Sequence, residues 1–273
     1  VYQPGAILTV NRNHWLCPTN WYNILPAQAG GGTLVDVVGG QHCKIVGGAK
    51  WSGQKTTGGR VAMSLDGTTG YCQNVNYQPF ASAAKAQATM SMWCYSGLSG
   101  GSGGGWGFYA DTSGDFQFGI YPDFQGWLGN TRSSNGNIYQ ANVASLTQSV
   151  WHHIVCTVDY VALKLATYVD GGASSTTTTI AGAGIHIIST GGLLLGKDNE
   201  ATPAYAPANT WSDFRLYTNR AFNAQQVWAL YQNSLAGCPG LLEWVAPTIA
   251  TPAVGLGQKI YQVNQAVQQA ATW

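Results

Sequence analysis

The sequence predicts an all-β protein: an antiparallel β-sandwich with one short helix and a C-terminal arm. Three observations predict it. The 273 residues include 36 Gly, 11 Trp and 14 Tyr, a composition suited to short strands and tight turns. Short apolar–polar alternations recur along the chain, several closed by turn residues. Only two stretches carry apolar residues at helical spacing.

In chain order, residues 1–30 contain Pro4, Pro18 and Pro26 and read as irregular, anchored by Trp15 and Trp21. Arg60–Leu65 alternates and ends at Asp66-Gly67. Thr89–Tyr95 alternates with Met90, Met92 and Cys94 on one face. Ser99–Gly105 is a glycine-rich loop, without the Lys-Ser/Thr that follows a phosphate-binding loop. Phe116–Tyr121 alternates in turn. His153–Val158 and Leu163–Val169 pair, the second closing on Asp170-Gly171, a strong hairpin signal. Gly184–Ile188, Leu193–Gly196 and Asp213–Tyr217 complete the strands. Asp213 and Arg215 are two apart on a strand, hence on one face and able to pair.

Asn223 with Gln226 three positions later forms a capping box, and Val227, Leu230 and Tyr231 follow at helical spacing. Beyond Gly237-Cys238-Pro239-Gly240, Pro247 and Pro252 mark a linker. Gln258–Ala271 then carries an apolar stripe of Ile260, Val263, Val267 and Ala270. The expected organisation is an N-terminal segment 1–30, a sandwich domain 31–236, and a linker and arm 237–273. A short apolar helix needs a surface to bury against. Ile260, Val263 and Val267 are therefore the expected partner-binding residues, on a neighbour or on the arm's own domain.

Charge excludes several function classes. Charged residues make up 8%, with 12 basic against 11 acidic for a net of +1. No basic surplus exists to neutralise phosphates or dock on an anionic membrane, so neither nucleic acid nor membrane is an expected partner. A surface this poor in charge is weakly protected from self-association. Apolar runs are broken by Gly, Ser, Thr and Gln, so no membrane-spanning helix is expected. Val1 leads into polar sequence with no signal peptide, and a first residue other than Met fits a processed product or a portion of one. The six cysteines include no C-x-x-C pair. Cys72, Cys94 and Cys156 read as buried small hydrophobes; Cys17 and Cys43 lie in turn-rich segments and could bridge.

No catalytic residue is expected. Glycoside hydrolysis needs two carboxyl groups about 5–9.5 Å apart. The only glutamates, Glu200 and Glu243, stand far apart in sequence, and Asp111 and Asp115 flank a turn. No G-x-S-x-G elbow is present. His152 and His153 are adjacent on a strand and point to opposite faces, one packed and the other exposed. Phe108, Tyr109, Tyr121, Phe124 and Trp127 alternate as strand faces filling a core; exposed, they would stack on sugars.

The order of motifs carries a resemblance. Asp36–His42, Gly58–Tyr71, Met90–Trp93, Trp151–Asp159 with Leu163–Gly171, Leu195–Asp198, and Asp213–Tyr231 follow one another as do the landmarks of laminin-G-like, concanavalin A-like jelly rolls. The resemblance spans about residues 30–235. It makes Trp93, Trp151, Asp66, Asp170 and Asp213 structural landmarks; independently, the size and apolar character of Trp93 and Trp151 suit them to anchor an inter-sheet core. Relatives bind calcium through loop oxygens, which assigns Asp198, Asn199 and Glu200 as metal ligands, with the adjacent Lys197 as a mark against. Ser234–Leu242 with its Gly-Cys-Pro-Gly-Leu-Leu, Val10-Asn11-Arg12 and Trp15 further resemble the variety found in bacteriophage virion proteins. That implies a non-enzymatic capsid decoration protein or tail/fibre component. It would bind other virion proteins, such as the major capsid protein, as an oligomer or in many copies per particle. The alternative is a secreted or cell-surface, lectin-like module binding a host glycan, with or without Ca2+.

Overall fold

A computed structural model describes residues 7–22, 31–56, 58–80, 86–96, 108–112, 115–123, 126–144, 147, 149–172, 174–186, 192–197 and 210–245. The chain divides into two compact units, Val10–Leu242 and the terminal stretches Val1–Thr9 with Glu243–Trp273. β1 (Ile7–Val10) and β18 (Leu242–Val245) make a two-stranded sheet, and the Thr9 hydroxyl donates to the Glu243 carbonyl.

The larger unit holds two sheets. The first orders β12 (Ile138–Ala144), β11 (Gly126–Arg132), β10 (Asp115–Asp123), β9 (Phe108–Thr112), β16 (Gly192–Leu195), β7 (Tyr71–Asn74), β4 (Cys43–Val46) and β3 (Thr33–Leu34). The second orders β15 (Ser174–Thr179), β14 (Lys164–Val169), β13 (Val150–Asp159), β8 (Gln87–Ser96), β17 (Thr210–Tyr217), β6 (Val61–Ser64) and β5 (Lys50–Lys55), with β2 (Asn20–Tyr22) also pairing β17. The described pairings within these sheets are antiparallel, which makes the unit an all-β sandwich.

Period-two alternation fills the space between the sheets. Met90, Met92 and Cys94 share the inward face of β8, as expected, and meet Ile154, Cys156 and Val158 of β13. Phe118, Ile120, Leu193 and Leu195 fill it from the other sheet. Burying each such side chain contributes roughly 1.5–3 kcal/mol. The sheets approach closely at Gly129, where a Cβ would lie 2.4 Å from both Cys156 Sγ and Thr167 Oγ1.

The outward face of the second sheet is also buried. It carries Trp21, Val155 and Tyr217, covered by α1 (Ala224–Leu235) through Val227 and Leu230. The helix begins with the expected capping box, Asn223 and Gln226 exchanging hydrogen bonds at 3.0 Å.

Several expectations need correction. Residues 20–22, expected irregular, are a strand because Trp21 and Tyr22 bury fully. Up to residue 186, the expected strand Gly184–Ile188 is an isolated Ser133–Ile185 bridge. Trp93 lies on the outward face beneath α1, stacked on Tyr231, rather than between the sheets. Trp151 is half-buried there against Tyr95. Both histidines are buried, His152 at 8% and His153 at 1% exposure. No cysteine is in a disulfide, Cys17 and Cys43 included. Residues 238 and 241, in the expected linker region, bury beneath α1. Among the described residues, no helix is long and apolar enough to cross a membrane.

Candidate functional site

Backbone register places a transverse row of residues on the outward face of the first sheet. Lys44 pairs with Gln73, Gln73 with Leu194, Leu194 with Tyr109, Tyr109 with Gly119, Gly119 with Asn130, and Asn130 with Gln140. Their neighbours fix the face: Cys43, Cys72, Leu193, Leu195, Phe118, Ile120 and Ala141 all belong to the core. The row crosses β4, β7, β16, β9, β10, β11 and β12, about 29 Å at the usual strand spacing. Leu194 is buried, Gln73 half-buried, and Lys44 and Gln140 exposed. Amides both donate and accept hydrogen bonds. Gln73 and Gln140 thus place amide groups on either side of the buried Leu194 and Gly119, suited to hydroxyl groups of a ligand.

The outward face of the second sheet holds a different cluster, closed to solvent. Asp213 sits at a bulge of β17 with φ 55. Its carboxylate accepts from Arg215 Nε and Nη2, each at 2.9 Å, from Trp21 Nε1, and from the Ser234 hydroxyl. Arg60 Nη1 stands 3.3 Å away. Burial pushes this carboxyl up, but the Arg215 and Arg60 guanidiniums outweigh it and hold it at about 2. Both arginines also donate to Cys238 Sγ, at 3.1 Å from Arg60 and 3.0 Å from Arg215. Trp93 Nε1 donates to the Ser234 hydroxyl at 2.6 Å. Asp213, Arg60 and Arg215 are at most 4% exposed, so the cluster is framework rather than a ligand site.

His153 faces this cluster, and burial pushes its imidazole down to about 3. His152, on the other side of β13, has Nδ1 2.7 Å from Asp170 Oδ2 and Nε2 2.9 Å from the Thr147 carbonyl. Asp170 Oδ1 accepts the His153 amide at 2.8 Å.

The other acidic landmarks build turns. Asp66 accepts the amides of Thr68, Thr69 and Gly70 and both threonine hydroxyls. The Thr69 hydroxyl and these backbone donors hold its carboxyl well below the usual range. Asp36 accepts the amides of Trp21, Val38, Gly39 and Gln41 and the Asn20 side chain. Among the described residues, no group of three His, Cys, Asp or Glu is arranged to hold a metal. Asp198, Asn199 and Glu200 lie outside the described residues, as do Ile260, Val263, Val267 and Phe124. Phe108, Tyr109, Tyr121 and Trp127 fall on β9, β10 and β11. Their side chains lie outside the described ones. Lys44, Gln73 and Gln140 escaped the sequence reading; period-two parity on β4, β7 and β12 was the signal for them.

Comparison with known proteins agrees with this architecture. A laminin-G-type family model, described as the concanavalin A-like lectin/glucanases superfamily, matches residues 66–228. No curated protein sequence matches the chain. Among solved structures, domain 4 of an extracellular arabinanase from Geobacillus stearothermophilus, in complex with arabinotriose, is 18% identical with a TM-score of 0.55. The match covers 84% of this chain and 100% of that one. The binding domain of botulinum neurotoxin DC in complex with SialylT is 11% identical (TM-score 0.57), covering 80% of this chain and 51% of that one. A Trypanosoma rangeli sialidase is 15% identical (TM-score 0.53), covering 78% and 32%. The match thus spans about half of the neurotoxin domain and a third of the sialidase. At these identities the likeness is one of fold.

Proposed function

The chain belongs to the concanavalin A-like lectin/glucanases superfamily, and we propose that it is a non-enzymatic, extracellular carbohydrate-binding module. The observation that carries this reading is the row Lys44–Gln73–Leu194–Tyr109–Gly119–Asn130–Gln140 on the outward face of the first sheet. The ligands in the complexes of two fold relatives, arabinotriose and SialylT, support the choice of ligand class. Calcium, in this reading, sits on Asp198, Asn199 and Glu200, whose oxygens suit a hard cation.

A glycan array followed by calorimetry tests both parts. Binding should occur, fall at least tenfold in a Gln73→Ala/Tyr109→Ala double variant, and weaken with EDTA. Binding unaffected by the double variant rejects the site, and binding unaffected by EDTA rejects the metal.

A second reading places the module on a bacteriophage virion as a decoration or tail protein. It rests on the Gly237–Leu242 segment and on the apolar stripe Ile260, Val263 and Val267. Co-sedimentation with a virus-sized particle, lost on deleting residues 246–273, is its expected result. Particle association unchanged by that deletion would remove the arm's role.

A further inference from the structure

The Asp170–Gly172 turn joins β14 to β15 with three consecutive positive φ angles: 49, 74 and 105. Glycine adopts this conformation freely, whereas Asp170, which carries a Cβ, is strained in it and is held by local hydrogen bonds. The support comes from the two adjacent histidines. The His153 amide donates to Oδ1 at 2.8 Å, and His152 Nδ1 meets Oδ2 at 2.7 Å.

The chemistry of the His152 ring is then constrained. Its other nitrogen, Nε2, faces the Thr147 carbonyl at 2.9 Å. Both partners are acceptors. A neutral imidazole carries one N–H and would set one lone pair against an oxygen. Only the imidazolium satisfies both contacts. Next to Asp170, Gly171 forms the floor beneath α1: a Cβ there would lie 2.6 Å from Trp228 Cε3 and 2.8 Å from Tyr231 Cδ1. Trp228 is 52% exposed and rests on this turn.

We propose that His152 is a pH-sensitive clamp: its imidazolium holds the Asp170–Gly172 turn, and loss of the proton frees the turn and loosens the seat of Trp228 and Tyr231. The Asp170 hydrogen bond raises the folded-state affinity of His152 for its proton, against the effect of burial. The stabilisation is complete below the ordinary histidine value near about 6.5. It is lost as pH rises through the higher folded value.

Other titratable and charged groups face the clamp from the neighbouring elements. From β13, His153 stays neutral because burial pushes it down to about 3. From α1, burial and the Asp170 charge push the Tyr231 phenol up. From β8, the residue opposite His152 is Cys94, and residue 147 contributes its carbonyl. The charges of Asp213, Arg60 and Arg215 lie on the His153 side.

The test is an NMR titration of the His152 ring nitrogens, with amide exchange of residues 170–172 and 228–231, from about pH 5.5 to about pH 9. His152 should titrate above the ordinary histidine value. Exchange at the turn, corrected for its intrinsic pH dependence, should rise several-fold with the same midpoint. A His152→Gln variant should show fast exchange without that step. A His152 that titrates at or below the ordinary value overturns the proposal, as does protection unchanged while the proton leaves. The wild-type titration decides the question even if the variant fails to fold.

Discussion

The Thr167 hydroxyl joins the two sheets: it accepts the Gly129 amide at 3.0 Å and donates to the Ala141 carbonyl at 2.7 Å. Thr167 belongs to β14 of one sheet, and Gly129 and Ala141 to β11 and β12 of the other. Thr178 repeats the link from β15, donating to the Gln140 carbonyl at 2.7 Å. That edge of the sandwich is hydrogen-bonded across the core as well as packed.

Thr167→Val keeps the shape and removes the hydroxyl. The lost buried bonds should cost about 1–3 kcal/mol. Equilibrium urea unfolding reads this as a lower midpoint at unchanged slope. A midpoint equal to wild type would show that the bridge contributes nothing.

Asp213→Asn leaves two buried guanidiniums without their carboxylate. Breaking such a cluster costs about 3–5 kcal/mol. The pH dependence follows from the depressed carboxyl, near 2. Its stabilisation is present above the ordinary aspartate value of about 3.9 and is lost as pH falls through about 2. Wild-type stability should therefore decline below about pH 4. The variant should lack the Asp213 share of that decline and keep the share from Asp66, measured by acid titration of tryptophan fluorescence.

Asn223→Ala removes the acceptor for the Gln226 amide at the start of α1. The expected loss is about 1 kcal/mol. Differential scanning calorimetry should show a lower Tm with little change in unfolding enthalpy.

Native cysteine alkylation should begin at Cys17, the half-buried one, and reach the others only on unfolding. Burial pushes the thiols of Cys43, Cys72 and Cys156 up, Cys43 to about 12, which suppresses their thiolates. Burial also raises the Cys17 thiol, so its labelling should be slow but measurable by mass spectrometry. Labelling of Cys72 or Cys156 ahead of Cys17 would contradict the described packing.

Strands with strong alternation were legible: the Met90-Met92-Cys94 face, the β13–β14 hairpin and the Asp213–Arg215 pair follow from spacing of two. β5, β11 and β15 were not. Lys50–Lys55 is polar but for Trp51, Gly126–Arg132 turns a glycine toward the core, and Ser174–Thr179 has no apolar residue. Parity also leaves open which face of β8 is the inner one. Size and apolar character suited Trp93 to the space between the sheets, because a second buried layer beneath α1 carries no local signature. The cluster of Arg60, Asp213, Ser234 and Cys238 was illegible for the same reason, its members being joined only by folding. On the first sheet, the outward row required the register of strands far apart in sequence.

The arginine–aspartate cluster bears on when the protein folds. Trp21, Arg60, Asp213, Arg215, Ser234 and Cys238 complete one another's contacts, and Cys238 is near the end of the larger unit. A nascent chain arrested before residue 238 would lack the sulfur that both arginines meet, and one arrested before residue 213 would have no carboxylate for Arg60. The cluster is therefore completed only when residues 213–238 are available, late in synthesis.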